Sequence, residues 1–247
     1  MQCALRRRKR FDPRLITSDT DMADLIRRIG QVGPHGGFTM LLHGEPGTGK
    51  TEFGLALAMR LGRDLMQVRC SDLVSKWVGE TEQNIAGMFR NAVRHGGLLM
   101  IDEIDYLLAD RVNARHSWEV SQTNEFLTRM EGYEGILVCT TNLVERIDPA
   151  AARRFDFKIR LGLLDGSRST AAFRSFFGLD APASLSGLDG LTLGDMAAVK
   201  RRLRFSPDDA GNGEAIVAML ADELKYKPAR PLAIGFGSPR QTSAGAG

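Results

Sequence analysis

The sequence is poor in cysteine: Cys3, Cys70 and Cys139 are widely spaced in 247 residues, with no C-x-x-C pair. That argues against a disulfide framework or a structural zinc site and fits a reducing compartment, so a cytoplasmic location is expected. Cys70 and Cys139 lie in or beside apolar runs and read as small buried hydrophobes. Long apolar runs are missing too. The longest, "FTMLLH" and "GLLMI", are far too short to cross a bilayer, so no membrane helix is expected. A broad excess of positive charge is also absent. Of the 33 basic residues, five are Arg6, Arg7, Arg8, Lys9 and Arg10, and setting them aside leaves 28 basic against 30 acidic, a net −2. The body therefore has no wide electrostatic footprint for nucleic acid. The cluster itself reads as a solvated tail able to meet an anionic partner. No apolar stretch follows it, so a secretory leader is not expected. An Arg-rich, acid-poor start also fits a mitochondrial presequence, although Asp12 and Pro13 end it early.

A hydrophobic content of 43% with 26% charged residues is ordinary for a globular chain. Strands and helices alternate along it. "FTMLLHG" (38–44) reads as a strand, and "TEFGLALAMRLG" (51–62) as a helix carrying Phe53, Leu57, Ala58 and Leu61 on one face, with Gly62 as its stop. "LMQVRC" (65–70) is a second strand. Thr81 is expected to cap the next helix, whose apolar stripe is Ile85, Met88, Phe89, Ala92 and Val93. "GLLMID" (97–102) has the continuous apolar character of a strand buried on both faces. A helix with Val120, Thr123, Leu127 and Met130 follows, then strands at "GILVCTT" (135–141) and "FKIRL" (157–161). This order predicts an α/β fold, a parallel five-stranded sheet flanked by helices. From about Leu163 the pattern turns helical, in "STAAFRSFFG", "LGDMAAVKRRL" and "GEAIVAMLADELKY". The expected organisation is a basic tail and linker over 1–36, a large α/β domain over 37–164, a small α-helical lid domain over 165–228 and a Gly/Ser/Ala-rich tail over 229–247. No internal repeat is visible.

The chemistry concentrates in two motifs. "GEPGTGKT" (44–51) fits G-x-x-x-x-G-K-[ST] in full and lies between a strand and a helix, the context of a phosphate-binding P-loop. Gly44, Gly47 and Gly49 let the backbone curl so that its N–H groups face phosphate oxygens, and the helix N-terminus adds its positive end. Glu45, Pro46, Thr48 and Glu52 complete the nucleotide-contacting stretch. Lys50 is placed to reach the β- and γ-phosphates of ATP, and the Thr51 hydroxyl to ligate Mg²⁺. "LLMIDEID" (98–105) supplies the second half. Asp102, at the end of a buried strand, is placed to hold Mg²⁺ through its water shell, and Glu103 beside it is a candidate base for the attacking water. A built-in base favours hydrolysis over transfer to an acceptor.

Beyond these motifs the chain resembles the AAA+ ATPases, and within them the AAA clade of protein-remodelling ATPases. "TTNLVERIDPAAARRFDFKIRL" (140–161) resembles that clade's second region of homology, "SKWVGETE" its first pore loop, and "LTRMEGYEG" another clade segment. The similarity covers roughly residues 38–205. It implies that Asn142 is a polar sensor, that Arg153 and Arg154 are arginine fingers entering a neighbouring subunit's site, and that Lys76, Trp77, Val78 and Gly79 form a substrate-gripping loop. A finger acting in trans implies a homo-oligomeric ring, for which the resemblance suggests six subunits. The chain departs from the clade near the adenine site. Gly194-Asp195 is one residue shorter than the usual Gly-x-Asp turn, and no arginine stands there as a second sensor.

The implied activity is ATP hydrolysis coupled to unfolding, threading or remodelling of a protein substrate. The alternative is a switch or loader acting on nucleic acid or assembling a complex, to which Arg111, Arg115 and His116 in "DRVNARHSW" (110–118) would contribute. A small-molecule kinase fits poorly, because kinases lack the arginine-finger segment. With no room ahead of the ATPase module for a folded recognition domain, substrate choice is expected to lie with a partner or with further chain.

Overall fold

The computed structural model describes residues 11–31, 36–77, 79–109 and 117–227. Five strands lie parallel: β2 (Phe38–His43), β3 (Leu65–Arg69), β4 (Leu98–Asp102), β5 (Ile136–Thr141) and β6 (Phe157–Gly162), in the order β6-β2-β5-β4-β3. Parallel neighbours require a crossover through a helix, and the chain supplies α2 (Lys50–Arg60), α3 (Glu80–His95) and α4 (Ser117–Glu131) between successive strands. Pleating sends alternate residues to opposite faces. Met40, Leu42, Leu98, Met100, Ile136 and Val138 join one apolar cluster with Phe53 and Leu57 of α2. Leu41, Leu99, Ile101, Leu137 and Cys139 join the other, with Phe89 of α3 and Phe126 of α4, whose ring centroids are 5.7 Å apart. Each face of the sheet is thus covered, as the continuous apolar strands require.

The structure adds to the expected α/β arrangement in two places. Among the described residues the sheet has six strands, because β1 (Thr17–Ser18) adds antiparallel to the β6 edge beside the five expected parallel strands. A two-residue strand carries no readable period. Residues 11–31, expected as tail and linker, are built into the molecule. Leu15 and Ile16 are buried, and α1 (Met22–Gln31) buries Met22, Leu25 and Ile26 against the cluster that contains α2. The signal was in the sequence: the Asp21 carboxylate accepts from the N–H groups of Ala23 and Asp24 at 2.9 and 3.0 Å, a side-chain cap ahead of an apolar stripe. The Arg6–Arg10 cluster, Arg111, Arg115, His116 and the 229–247 tail lie outside the described residues.

Helix α3 also differs in detail. Gly79, not Thr81, stands at its N-cap, while Thr81 is fully buried and its hydroxyl accepts from the Ser75 N–H at 3.0 Å. Val93, expected on the apolar stripe, faces solvent.

After β6 come α6 (Gly166–Phe177), α7 (Leu193–Arg202) and α8 (Gly213–Lys225), following the single turn α5 (Pro149–Ala152) that precedes β6. Asp165 caps α6, and the backbone N–H of Arg168, the Ser167 hydroxyl and the Arg168 guanidinium hold its carboxyl at about 2. Thr192 and Asp195 form a reciprocal capping box on α7, and Asn212 caps α8. Phe173, Met196, Val199, Ile216 and Leu220 extend the α1–α2 cluster into these helices, so the helical part shares its core with one face of the sheet. Among the described residues no helix is long and apolar enough to cross a membrane.

Candidate nucleotide site

The carboxyl ends of the parallel strands place the candidate residues along one edge of the sheet, where open α/β folds form their ligand crevice. The loop leaving β2 is shaped by glycine. Gly44 has φ 138°, and a Cβ there would lie 2.0 Å from the Leu161 carbonyl oxygen, so no side chain fits. The Thr48 hydroxyl donates to the Glu45 carbonyl at 2.8 Å and closes the turn. Lys50 opens α2 from inside the loop. Only 8% exposed, its ammonium donates to the carbonyls of Gly44 at 2.7 Å and Glu45 at 2.9 Å. Burial pushes this ammonium down to about 8, against the attraction of Asp102, Glu45 and Glu52. The loop thus holds a desolvated cation whose bonds to backbone carbonyls a phosphate could replace.

Beneath the loop, Thr51 Oγ1 and Asp102 Oδ1 stand 3.5 Å apart. Asp102 is gripped from both neighbouring strands. The Thr140 hydroxyl donates to Oδ1 at 2.9 Å, and the Gln67 amide donates to Oδ2 at 2.5 Å. The donor set fits Mg²⁺: a hydroxyl and a carboxylate are hard oxygen ligands, and this ion is commonly held by one or two carboxylates together with phosphates and water. Among the described residues no group of three His, Cys, Asp or Glu gathers into a metal site complete in itself.

Glu103 is exposed and takes a left-handed conformation, φ 61° and ψ 49°, among the described residues the sole non-glycine at positive φ. Its N–H points to the Thr140 hydroxyl at 3.4 Å. A long side chain held in this conformation next to Asp102 is backbone strain located at a candidate site. Thr141 donates to Asp105 at 2.8 Å and accepts from the Leu143 N–H at 2.9 Å, which fixes the turn where half-buried Asn142 sits. Lys50, Thr51, Asp102, Glu103 and Asn142 therefore share one edge.

The two arginines do not join them. Arg153 and Arg154 precede β6, at the opposite edge of the sheet. The Thr39 hydroxyl donates to the Arg154 carbonyl at 3.3 Å. Thr39 lies five residues before Gly44, which at ~3.3 Å per residue puts roughly 16 Å of strand between the pair and the loop. Arg154 pairs with Glu131 at the end of α4 and donates to the Ala150 carbonyl at 3.3 Å, whereas Arg153 is exposed. Lys76 and Trp77 are exposed just ahead of α3, Trp77 at 77%, and Gly79 has φ 84°. Val78 lies outside the described residues. The Trp77 N–H donates to the Ser75 hydroxyl at 3.2 Å, and that hydroxyl also pairs with Glu80.

The helical part touches the loop directly. The Gly194 N–H donates to the Gly47 carbonyl at 2.8 Å, and a Cβ on Gly194 would lie 2.8 Å from the Gly47 Cα. Asp195, buried in the capping box, is paired with Lys227 at 2.5 Å. Sequence reasoning singled out neither Gln67, Thr140, Thr192 nor Lys227. Only Gln67, a polar residue inside an apolar run, carried a visible signal.

The model of the ATPase family associated with various cellular activities (AAA) matches residues 40–163. Protein CdcH of Halobacterium salinarum is 33% identical over 148 residues, 57% of this chain and 20% of that protein. Fidgetin-like protein 1 of Xenopus laevis is 36% identical over 145 residues, 56% of this chain and 22% of that protein. Vacuolar protein sorting-associated protein 4 of Dictyostelium discoideum is 31% identical over 163 residues, 64% of this chain and 36% of that protein. The matched stretch runs from β2 through β6 and contains both halves of the crevice. It is a minor part of each relative's own length.

Proposed function

Because the chain belongs to the AAA family of ATPases, we propose that it binds and hydrolyses Mg-ATP at this edge of the sheet and uses the cycle to remodel a protein substrate. The observation that carries the reading is the convergence of Lys50, Thr51 and Asp102 beneath the glycine loop, with Glu103 exposed beside them. In this reading the backbone N–H groups of residues 44–51 cradle the phosphates and Lys50 exchanges its carbonyl partners for phosphate oxygens. Thr51 and Asp102 would hold Mg²⁺, and the ion would supply charge neutralisation to the phosphates. Glu103 takes the proton of the attacking water, and Asn142 orients that water without adding a charge. Gly194, against the loop at Gly47, places the helical lid over the nucleotide.

The separation of Arg153 and Arg154 from their own loop supports fingers that act in a neighbouring subunit. We read the working form as a closed homo-oligomer, in the hexameric arrangement that the resemblance implies. Arginines of this kind contribute on the order of 10³–10⁵ in rate. Exposed Trp77, backed by Lys76 and followed by Gly79, suits a loop that grips an extended polypeptide through an apolar face without reading its sequence. One relative is named for protein sorting, which agrees with a protein substrate.

Glu103→Gln tests the chemistry. It keeps the side-chain size and the backbone conformation, so nucleotide binding and assembly should persist while turnover falls by roughly 10²–10⁴. Normal hydrolysis by this variant would remove Glu103 from the mechanism.

A further inference from the structure

Asp102 is the last residue of β4, an inner strand with β3 on one side and β5 on the other. The β3–β4 register sets Gln67 opposite Met100 and Arg69 opposite Asp102. Gln67, Arg69, Met100 and Asp102 therefore share one face of the sheet, the face on which Met100 meets Gly54 of α2. Gln67 is exposed, so burial does not force its amide to seek a protein acceptor. It nevertheless reaches diagonally across the strand pair and donates to Asp102 Oδ2 at 2.5 Å, while Thr140 donates to Oδ1 at 2.9 Å from the other side.

We propose that Gln67 is a positioning residue for Asp102, holding its carboxylate open toward Thr51 and away from the cations around it; this rests on the nucleotide-site reading above. A carboxylate has room for about four acceptor contacts, and the terminal torsion of an aspartate is soft. Thr140 on Oδ1, with Thr51 at 3.5 Å from the same oxygen, and Gln67 on Oδ2 fix that torsion and leave open the directions these contacts do not use. The competitors for those directions are close. Lys50 is near enough to feel the Asp102 charge, and Arg69 lies directly across in the register. Either cation, bonded directly to Asp102, would neutralise the ligand that the nucleotide's magnesium needs. Gln67 is neutral and contributes donors without cancelling that charge. Partners of this kind, behind a metal ligand, commonly change metal affinity by about 10–100-fold when removed.

Gln67→Met keeps the chain length and deletes the donor. Binding of a fluorescent ADP is measured with Mg²⁺ and again in EDTA, for wild type and variant, together with thermal melting of each. The expected result is an unchanged melting temperature and a fall of roughly tenfold or more in the ratio of affinity with Mg²⁺ to affinity without it. A ratio equal to the wild-type value overturns the proposal, as does an equal loss in both conditions, because that would mark general damage rather than a mispositioned metal ligand. If wild type itself binds no nucleotide, the nucleotide-site reading fails instead, and the two failures are told apart by the wild-type arm alone.

Discussion

Lys50, the candidate phosphate-binding residue, carries a charge that opposes the fold, and replacing it should make the nucleotide-free protein more stable. Its ammonium is brought from 10.5 in the unfolded chain down to about 8 by burial. That difference, at ~1.4 kcal/mol per tenfold change in the proton equilibrium, amounts to about 3.5 kcal/mol carried by the charged form. Lys50→Met removes that cost but also the donors to the Gly44 and Glu45 carbonyls, each worth ~1 kcal/mol, and the exposed loop lets water take over part of that role. The net gain expected at pH 7 is about 1–2 kcal/mol, or roughly 2–8 °C in melting temperature for a chain of this size. The pH dependence gives the sign independently. Between about 8 and 10.5 the unfolded chain holds this proton and the folded one does not, so wild-type stability rises through that window. Below it the penalty is fully present, and above it the penalty is gone. Urea unfolding without nucleotide, at pH 7 and at pH 10, should show the advantage of Lys50→Met shrinking as pH rises. Mg-ATP at a hundredfold its dissociation constant should then stabilise wild type by ~2.7 kcal/mol and leave the variant unmoved. A variant less stable than wild type at pH 7, or an advantage independent of pH, would refute the reasoning.

Three further outcomes are expected. Trp77→Ala should leave the melting temperature and ATP hydrolysis intact while ending substrate processing, because the indole is 77% exposed; an unfolded variant would make Trp77 an anchor instead. Arg153→Ala and Arg154→Ala, each mixed into wild type, should both lower hydrolysis steeply. Only Arg154→Ala should also cost stability, at most about 1 kcal/mol, since its ion pair with Glu131 is partly exposed; equal melting curves would deny that pair a structural role. Cys70, pushed up to about 12 by burial, and fully buried Cys139, which burial also raises well above the ordinary thiol value, should resist thiol labelling at pH 8 until the protein is unfolded. Rapid labelling of either in the folded protein would contradict the packing described.

The parts legible in the sequence were those whose chemistry demands a fixed residue at a fixed spacing. "GEPGTGKT" and "IDE" announce themselves because glycine, lysine and paired acids have few other reasons to occur in that order between apolar runs. Continuous apolar strands and the Ile85–Met88–Phe89–Ala92 stripe gave the layers for a similar reason, since burial on a face imposes a period. What escaped notice depends on contacts made across the fold. Thr81 reads as a cap, yet tertiary packing buries it and leaves Gly79 to begin α3. The pairing of Gln67 with Asp102 spans 35 residues and is set by strand order, on which local spacing is silent. Ile16 beside Gly49 and Gly194 against Gly47 join segments from both ends of the chain to a loop in between.

The contact between Gly194 and Gly47 has a mechanical consequence. Helix α7 is rooted at the loop by one backbone hydrogen bond, and its ten residues make a rod of roughly 15 Å. The two glycines meet too closely for either to carry a side chain, so the loop and the start of α7 keep one fixed spacing. Beyond that end lies Phe205, 88% exposed. Loop and helix therefore meet at a single joint, which ties the spacing at Gly47 to a helix whose far end leads toward the surface.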